Sequence, residues 1–303
     1  MTSVLERDEV VNGTYTISEK IGAGAFADVY LVNHRFLGQQ AMKVFRQDET
    51  DADQRPTSVS QVNRKPNENL KEARHLVDLS HPHIVRVYEA NVFEKGGRLF
   101  SFMTMEWASS GTLEALIANR IRLSVASALG ICVQITAALA YTHSLTPPLI
   151  HRDIKPSNVL ITANDPEILL KVSDFGLAST LDPRSRLCQS AGTLAFAPPE
   201  MAWDIADERT DVYCVGVTLY RMVTGIHPFP VAQLQEVRAS REFTLVLGRG
   251  RRSIQPPSRL LLHECPGLDA LVMKALSFDM FSRQRNAVEL LDEITELQAE
   301  VIV

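Results

Sequence analysis

His151-Arg152-Asp153-Ile154-Lys155-Pro156-Ser157-Asn158, followed by Ser173-Asp174-Phe175-Gly176, decides how this chain is read. The two runs set a carboxylate, Asp153, five residues before an amide, Asn158, and a second carboxylate, Asp174, sixteen residues beyond that amide. A carboxylate can accept the proton of an attacking hydroxyl. An amide oxygen and a second carboxylate make an oxygen pair suited to a hard cation such as Mg²⁺. Phosphoryl transfer asks for that combination, because its catalyst mainly positions the reactants and neutralises phosphate charge. Either run alone could arise by chance; the two in this order point to that chemistry.

Parts that could grip a nucleotide come earlier. Ile21-Gly22-Ala23-Gly24-Ala25-Phe26-Ala27-Asp28-Val29 is glycine-rich, and glycines let backbone N–H groups approach phosphate oxygens with no Cβ in the way. On either side, Tyr15-Thr16-Ile17-Ser18-Glu19-Lys20 and Val29-Tyr30-Leu31-Val32 alternate apolar and polar residues, which predicts two antiparallel strands joined by the loop. A Rossmann dinucleotide site needs a helix directly after the glycines, so it is disfavoured. Ala41-Met42-Lys43-Val44 lies on the next apolar run, and Leu70, Ala73, Leu76 and Val77 then recur on one helical face. Phe100-Ser101-Phe102-Met103-Thr104-Met105-Glu106-Trp107-Ala108 is an apolar strand that ends in Ser109-Ser110-Gly111.

In this order the runs resemble the catalytic domain of eukaryotic-type (Hanks-type) Ser/Thr protein kinases, over about residues 15 to 297. The resemblance implies an α+β, bilobal protein-kinase fold. A small antiparallel β-sheet N-lobe with helix αC occupies 15–106, and a larger, mainly helical C-lobe occupies 107–303, after an N-terminal extension at 1–14. It also implies ATP and Mg²⁺ as cofactors and protein substrates with Ser/Thr acceptors. Asp153 then orients the hydroxyl and takes its proton, Lys155 steadies the γ-phosphate, and Asn158 and Asp174 hold Mg²⁺. Lys43 meets the α- and β-phosphates, oriented by an ion pair with Glu72 of αC. Ile21, Val29, Ala41 and Leu160 sandwich adenine, and Gly22, Gly24 and Phe26 belong to the loop over the phosphates. Met105 is the gatekeeper, while Glu106 and Ala108 offer backbone hydrogen bonds to the base.

Two residues depart from the family pattern: Ala27 replaces its third glycine, and Pro198 replaces the customary Ala near the end of the activation segment, Gly192-Thr193-Leu194-Ala195-Phe196-Ala197-Pro198-Pro199-Glu200. By the same resemblance Glu200 pairs with Arg283, with Arg285 as the alternative, and Asp211 caps the backbone near His151. Lys155 and Thr193 favour Ser/Thr over Tyr acceptors. Arg152 stands where the family pairs an Arg with an activation-segment phosphate, which makes Ser179, Thr180, Ser185 and Ser190 candidates for autophosphorylation. Thr112 and Ser157 are uncharged where Arg-selective relatives carry acids, so little preference for Arg upstream of the target is expected; Glu114 or Glu236 are the acids that could substitute. The pattern is closer to bacterial Ser/Thr kinases than to specialised eukaryotic groups. Two alternatives stay open. A pseudokinase scaffold is disfavoured because Lys43, Asp153, Asn158 and Asp174 are all present, and a small-molecule kinase of the aminoglycoside type typically lacks the segment from Gly176 to Glu200.

Composition agrees. At 303 residues and 45% hydrophobic, the chain can bury a large core of the size of one two-lobed catalytic unit. A formal net charge of −5 argues against nucleic acid or an anionic membrane as the main partner. Cys132, Cys188, Cys214 and Cys265 lack metal-ligand spacing and read as free thiols of a reducing compartment. The charged N-terminus lacks the apolar stretch of a signal peptide, so a cytoplasmic location is expected. Residues 46–69, polar and Pro-containing, read as a mobile insertion before αC. Leu123 to Tyr141 carries no charge over nineteen residues, near the length that spans a bilayer, yet its Ser124, Ser127, Gln134 and Thr136 fit a buried helix better. No internal repeat or heptad run is present, and Leu290, Leu291, Ile294 and Leu297 predict a closing helix.

Overall fold

The computed structural model describes residues 3–24, 27–46, 76–120, 122–164, 168–175, 194–203, 205–229, 254–261 and 265–302. The chain divides into two compact units, Met1–Ser80 with Val85–Trp107, and His81–Ile84 with Ala108–Val303.

The first unit is built on six antiparallel strands: β1 (Val10–Val11), β2 (Tyr15–Ala23), β3 (Ala27–His34), β4 (Gly38–Phe45), β5 (Val87–Lys95) and β6 (Arg98–Met105). Their order across the sheet is β1-β2-β3-β4-β6-β5. Because side chains alternate between faces, directly paired residues share a side. Tyr15 and Ile17, Tyr30 and Val32, Met42 and Val44, Phe102 and Phe93 thereby gather into one buried cluster. The opposite side carries Val29 paired with Lys43, Lys43 with Met103, and Leu31 and Met105 with Ala41.

At the N-terminus the structure differs from the sequence reading. Residues 3–14, read as an extension, are part of this unit. Leu5 and Val11 are 2% and 3% exposed and complete the cluster, and Val10 and Val11 pair with Thr16 and Tyr15. Asp8 N–H donates to Ile17 O and Ile17 N–H to Glu9 O, both at 2.9 Å. The physical cause is the apolar sheet face: burying one such side chain contributes about 1.5–3 kcal/mol. The charges of Glu6, Arg7 and Asp8 hide that signal in the sequence. Residues 46–69 lie outside the described residues apart from Arg46.

The second unit contains α1 (Leu113–Asn119), α2 (Val125–His143), the hairpin β7 (Val159–Asn164) and β8 (Ile168–Val172), α3 (Glu208–Thr224), α4 (Pro266–Ala275) and α5 (Ala287–Ile302). The uncharged run predicted as a buried helix is α2. It starts at the Ser124 cap, and it buries Leu129, Ile131, Cys132, Ile135 and Leu139 against α5, α3 and β8. Among the described residues it is the one helix long and apolar enough to cross a membrane, and half of its most apolar window is buried inside the unit. At the centre, α3 is opened by a capping box of Asp207 and Thr210. Gly216 lets α4 come close, since a Cβ there would lie 2.8 Å from that of Ala275. On the predicted closing helix α5, Leu290, Ile294 and Leu297 are buried and Leu291 is half-buried.

Candidate active site

In the second unit, a 3₁₀ turn at Pro156–Asn158 and the β7–β8 hairpin bring 151–158 against 173–175. Ser173 N–H and Oγ both donate to Asn158 O, at 2.8 and 3.1 Å. His151 is fully buried, with its ring edge-on to Phe175 at 4.5 Å. Asp153 N–H donates to His151 Nδ1 at 3.2 Å, so the proton sits on Nε2, which donates to Ser173 O at 2.8 Å. One buried ring thus locks the two runs together.

Asp153 is fixed from several directions. Its Oδ2 accepts from Lys155 Nζ at 2.8 Å and from Asn158 Nδ2 at 3.0 Å, and its carbonyl accepts from the same Nδ2 at 2.8 Å. Among the described residues Oδ1 accepts no bond, and the side chain is 26% exposed. An oriented, partly exposed carboxylate of this kind can take a proton from a hydroxyl brought to it. With Nδ2 of Asn158 donating twice to Asp153, its Oδ1 is the atom that could accept a cation. Asp174 and Arg152 have left-handed φ of +65° and +67°, a conformation that costs energy in non-glycine residues and tends to occur at functional sites. Among the described residues no three His, Cys, Asp or Glu side chains are grouped to hold a metal. An amide oxygen plus one carboxylate instead suits Mg²⁺, which completes its shell with water and substrate phosphates.

The expected anchor is in place. Asp211, fully buried on α3, accepts from His151 N–H at 2.8 Å and Arg152 N–H at 2.7 Å. It takes a third bond from His143 Nε2 at 2.9 Å, a contact absent from the sequence reading because nothing in the periodicity of α2 marks its last residue. Glu200 is held by Arg283, Nη1 to Oε1 at 2.7 Å and Nη2 to Oε2 at 2.8 Å, both side chains buried. Breaking such a pair typically costs about 3–5 kcal/mol. Arg285, the alternative, pairs with Glu289 on the surface. Leu160 sits on β7, where Thr112 bridges to it. Ala108 is buried in this unit.

In the first unit, Val29, Ala41, Lys43 and Met105 share the sheet side opposite the core cluster. Ile21 is 36% exposed on β2. Glu106 N–H donates to Arg86 O at 2.9 Å, so a bond from Glu106 to a ligand would have to come from its carbonyl. Gly22 and Gly24 have no left-handed φ, and among the described residues a Cβ at either would meet nothing closer than 3.5 Å. The fold itself therefore does not demand glycine there, as expected where the demand comes from a ligand approaching the backbone. Phe26, Glu72, Gly176, Thr193 and the four candidate phosphoacceptors lie outside the described residues.

The sequence profile of the protein kinase domain matches residues 15–298. Serine/threonine-protein kinase PknB of Mycolicibacterium smegmatis is 31% identical over 289 residues, which are 91% of this chain and 41% of that protein. A probable serine/threonine-protein kinase of Streptomyces coelicolor is 30% identical, over 94% of this chain and 40% of its own. The chain thus spans about two-fifths of the length of these relatives. Among solved structures, Rad53 1-466 in complex with AMP-PNP matches 92% of this chain and 64% of its own, with TM-score 0.69 and 27% identity. The Mycobacterium tuberculosis PknI kinase domain matches 97% of this chain and all of its own, with TM-score 0.68 and 24% identity, a likeness of fold. With the profile matched over nearly its whole length, the chain belongs to the protein kinase domain family.

Proposed function

We propose that this chain transfers the γ-phosphoryl group of ATP to Ser or Thr hydroxyls of protein substrates. The observation that carries this reading is Asp153, held by Lys155, Asn158 and the Asp211-anchored loop, with one carboxylate oxygen bonded to none of those partners. Asp153 orients the acceptor hydroxyl and receives its proton as the new P–O bond forms and the bond from the γ-phosphorus to the bridging oxygen breaks, that oxygen leaving with ADP. Lys155, already against Asp153, offsets charge on the transferred group. Asn158 Oδ1 and the Asp174 carboxylate would hold Mg²⁺, which when bound with ATP neutralises charge building on the phosphate oxygens. Lys43, with Glu72, would meet the α- and β-phosphates beneath the glycine-rich turn. The named relatives and the AMP-PNP complex of Rad53 support the same assignment.

We also propose autophosphorylation within 176–192, with Arg152 as the cation that would meet the product, and a cytoplasmic setting, for which the buried free thiols of Cys132 and Cys214 speak. Incubation with Mg-ATP followed by mass-spectrometric phosphosite mapping tests the reading. Phosphoserine or phosphothreonine is expected in the wild type and none in Lys43→Met; no phosphate in either, at saturating ATP and with protein acceptors present, would favour a non-catalytic scaffold.

A further inference from the structure

Asp28 has no part in the reaction as proposed, yet its side chain is fully buried. A buried carboxylate without partners would be driven to its neutral form. Here two cations supply the partners. Lys20 Nζ on β2 lies 2.9 Å from Oδ1, and Arg46, the residue after β4, donates from Nη2 to the same oxygen. Tyr30 OH stands 3.4 Å from Oδ2. Burial alone would raise the Asp28 carboxyl, but Arg46 and then Lys20 outweigh it and hold the group below its ordinary range. It is therefore a charged hub joining three strands.

Its position gives the hub a task. Asp28 sits on β3 one residue before Val29, and Val29 pairs with Gly22 on one side and with Lys43 on the other. Asp28 itself faces the core side, along with Tyr30, Met42 and Val44, so it acts through the sheet rather than on a ligand. Regular pairing of the turn's stems fails at this point: the ladder between β2 and β3 shifts register between Lys20 and Gly22. Such an irregularity leaves a residue unpaired and bends the strand. What spans it is the Lys20–Asp28 ion pair, beneath a turn closed by Gly24 N–H to Ala27 O at 2.8 Å. Arg46 ties the Lys43 strand to the same carboxylate three residues beyond that lysine. The network continues from Tyr30 OH to Leu5 N–H at 3.1 Å and Ser3 Oγ at 2.9 Å, which connects the N-terminal residues to it.

We propose that Asp28, with Lys20 and Arg46, is a positioning group for the nucleotide, fixing both stems of the glycine-rich turn and the strand that carries Lys43. The proposal rests on the reading of 21–29 and Lys43 as nucleotide-binding. It goes further in assigning a role in nucleotide affinity to three side chains on the far side of the sheet.

Calorimetric titration of the whole 303-residue chain with AMP-PNP and Mg²⁺, alongside thermal melts, tests it. Asp28→Asn keeps the shape and removes the charge. It should weaken AMP-PNP binding about tenfold, the scale of one charge-assisted hydrogen bond. Lys20→Met should do the same in part, and the double variant should lose less than the sum, because both changes break one pair. A purely structural role would lower the melting temperature and leave the affinity of the folded protein unchanged, which would overturn the proposal. Should Asp28→Asn fail to fold, Lys20→Met decides alone, since Lys20 is 30% exposed and its removal leaves Arg46 on the carboxylate. Lys43→Met is the control: loss of affinity there with none in Asp28→Asn or Lys20→Met sinks this proposal only, whereas unchanged affinity in all three sinks the nucleotide reading with it.

Discussion

Four hydrogen bonds hold Asp153, two accepted at Oδ2, one accepted at its carbonyl and one donated by its amide, and each links it to a residue within five positions. That locality is why this half of the candidate site is legible in the sequence: the spacing of Asp153, Lys155 and Asn158 nearly determines the geometry. Asp28 is the opposite case. Its partners Lys20 and Arg46 are eight and eighteen residues away, and only the register of β2, β3 and β4 brings them together. Read in sequence, Asp28 is one more charge beside a glycine loop. Gly24 offers a test at this scale. Since among the described residues a Cβ there meets only Ala27 O at 3.6 Å, Gly24→Ala should leave thermal stability nearly unchanged while raising KM for ATP several-fold. A fall in melting temperature with KM unchanged would show that the glycine serves the fold.

Among the elements, α2 and the N-terminal residues mark where pattern suffices and where it does not. The uncharged run of α2, its Ser124 cap and its length predict a buried helix, and its packing against α3, α5 and β8 is what such a helix requires. The short β1 and the seating of Leu5 escape detection, because two apolar residues among charges carry no period. Helix α1 bears on specificity. Thr112 serves as its N-cap, accepting from Ala115 N–H at 3.2 Å. Glu114, one of the acids that could have received a substrate arginine, is gripped by both terminal nitrogens of Arg221 at 2.5 Å. A carboxylate already in a bidentate pair has little to offer a second guanidinium. A positional-scanning peptide array should therefore show no strong selection for Arg two or three residues before the acceptor. Arg221→Ala should introduce some, and strong selection in the wild type would contradict the reading of Glu114.

For the molecule as a whole, acid stability is expected to depend on a group far in sequence from the candidate site. His227 is half-buried against the Phe196 ring at 4.9 Å, and its Nδ1 has no hydrogen-bond partner among the described residues. Burial, reinforced by the Arg221 charge, pushes the ring from 6.5 down to about 4. Above pH 6.5 the ring is neutral in both folded and unfolded chains, so it contributes no slope. As pH falls from 6.5 toward 4 the unfolded chain binds the proton first, and stability is lost until the folded ring also titrates. At about 1.4 kcal/mol for each tenfold in proton affinity, the loss is about 3 kcal/mol. Urea unfolding between pH 7 and 4.5 should show this fall, and His227→Phe should flatten much of it; an unchanged slope would remove His227 as the cause.

The division of labour among Asp153, Asn158 and Asp174 is the central claim, and paired measurement of turnover and nucleotide binding in Asp153→Asn tests it most directly. On the proposed reading Asp153 meets the acceptor and not the nucleotide, so ³²P transfer from ATP to protein acceptors should fall by about 10²–10⁴-fold, the usual worth of a positioned general base. Calorimetric affinity for Mg²⁺ and AMP-PNP should stay near that of the wild type, in contrast to Asp174→Asn, which should weaken it. Transfer by Asp153→Asn at the wild-type rate, or equal loss of nucleotide binding in both variants, would contradict the account.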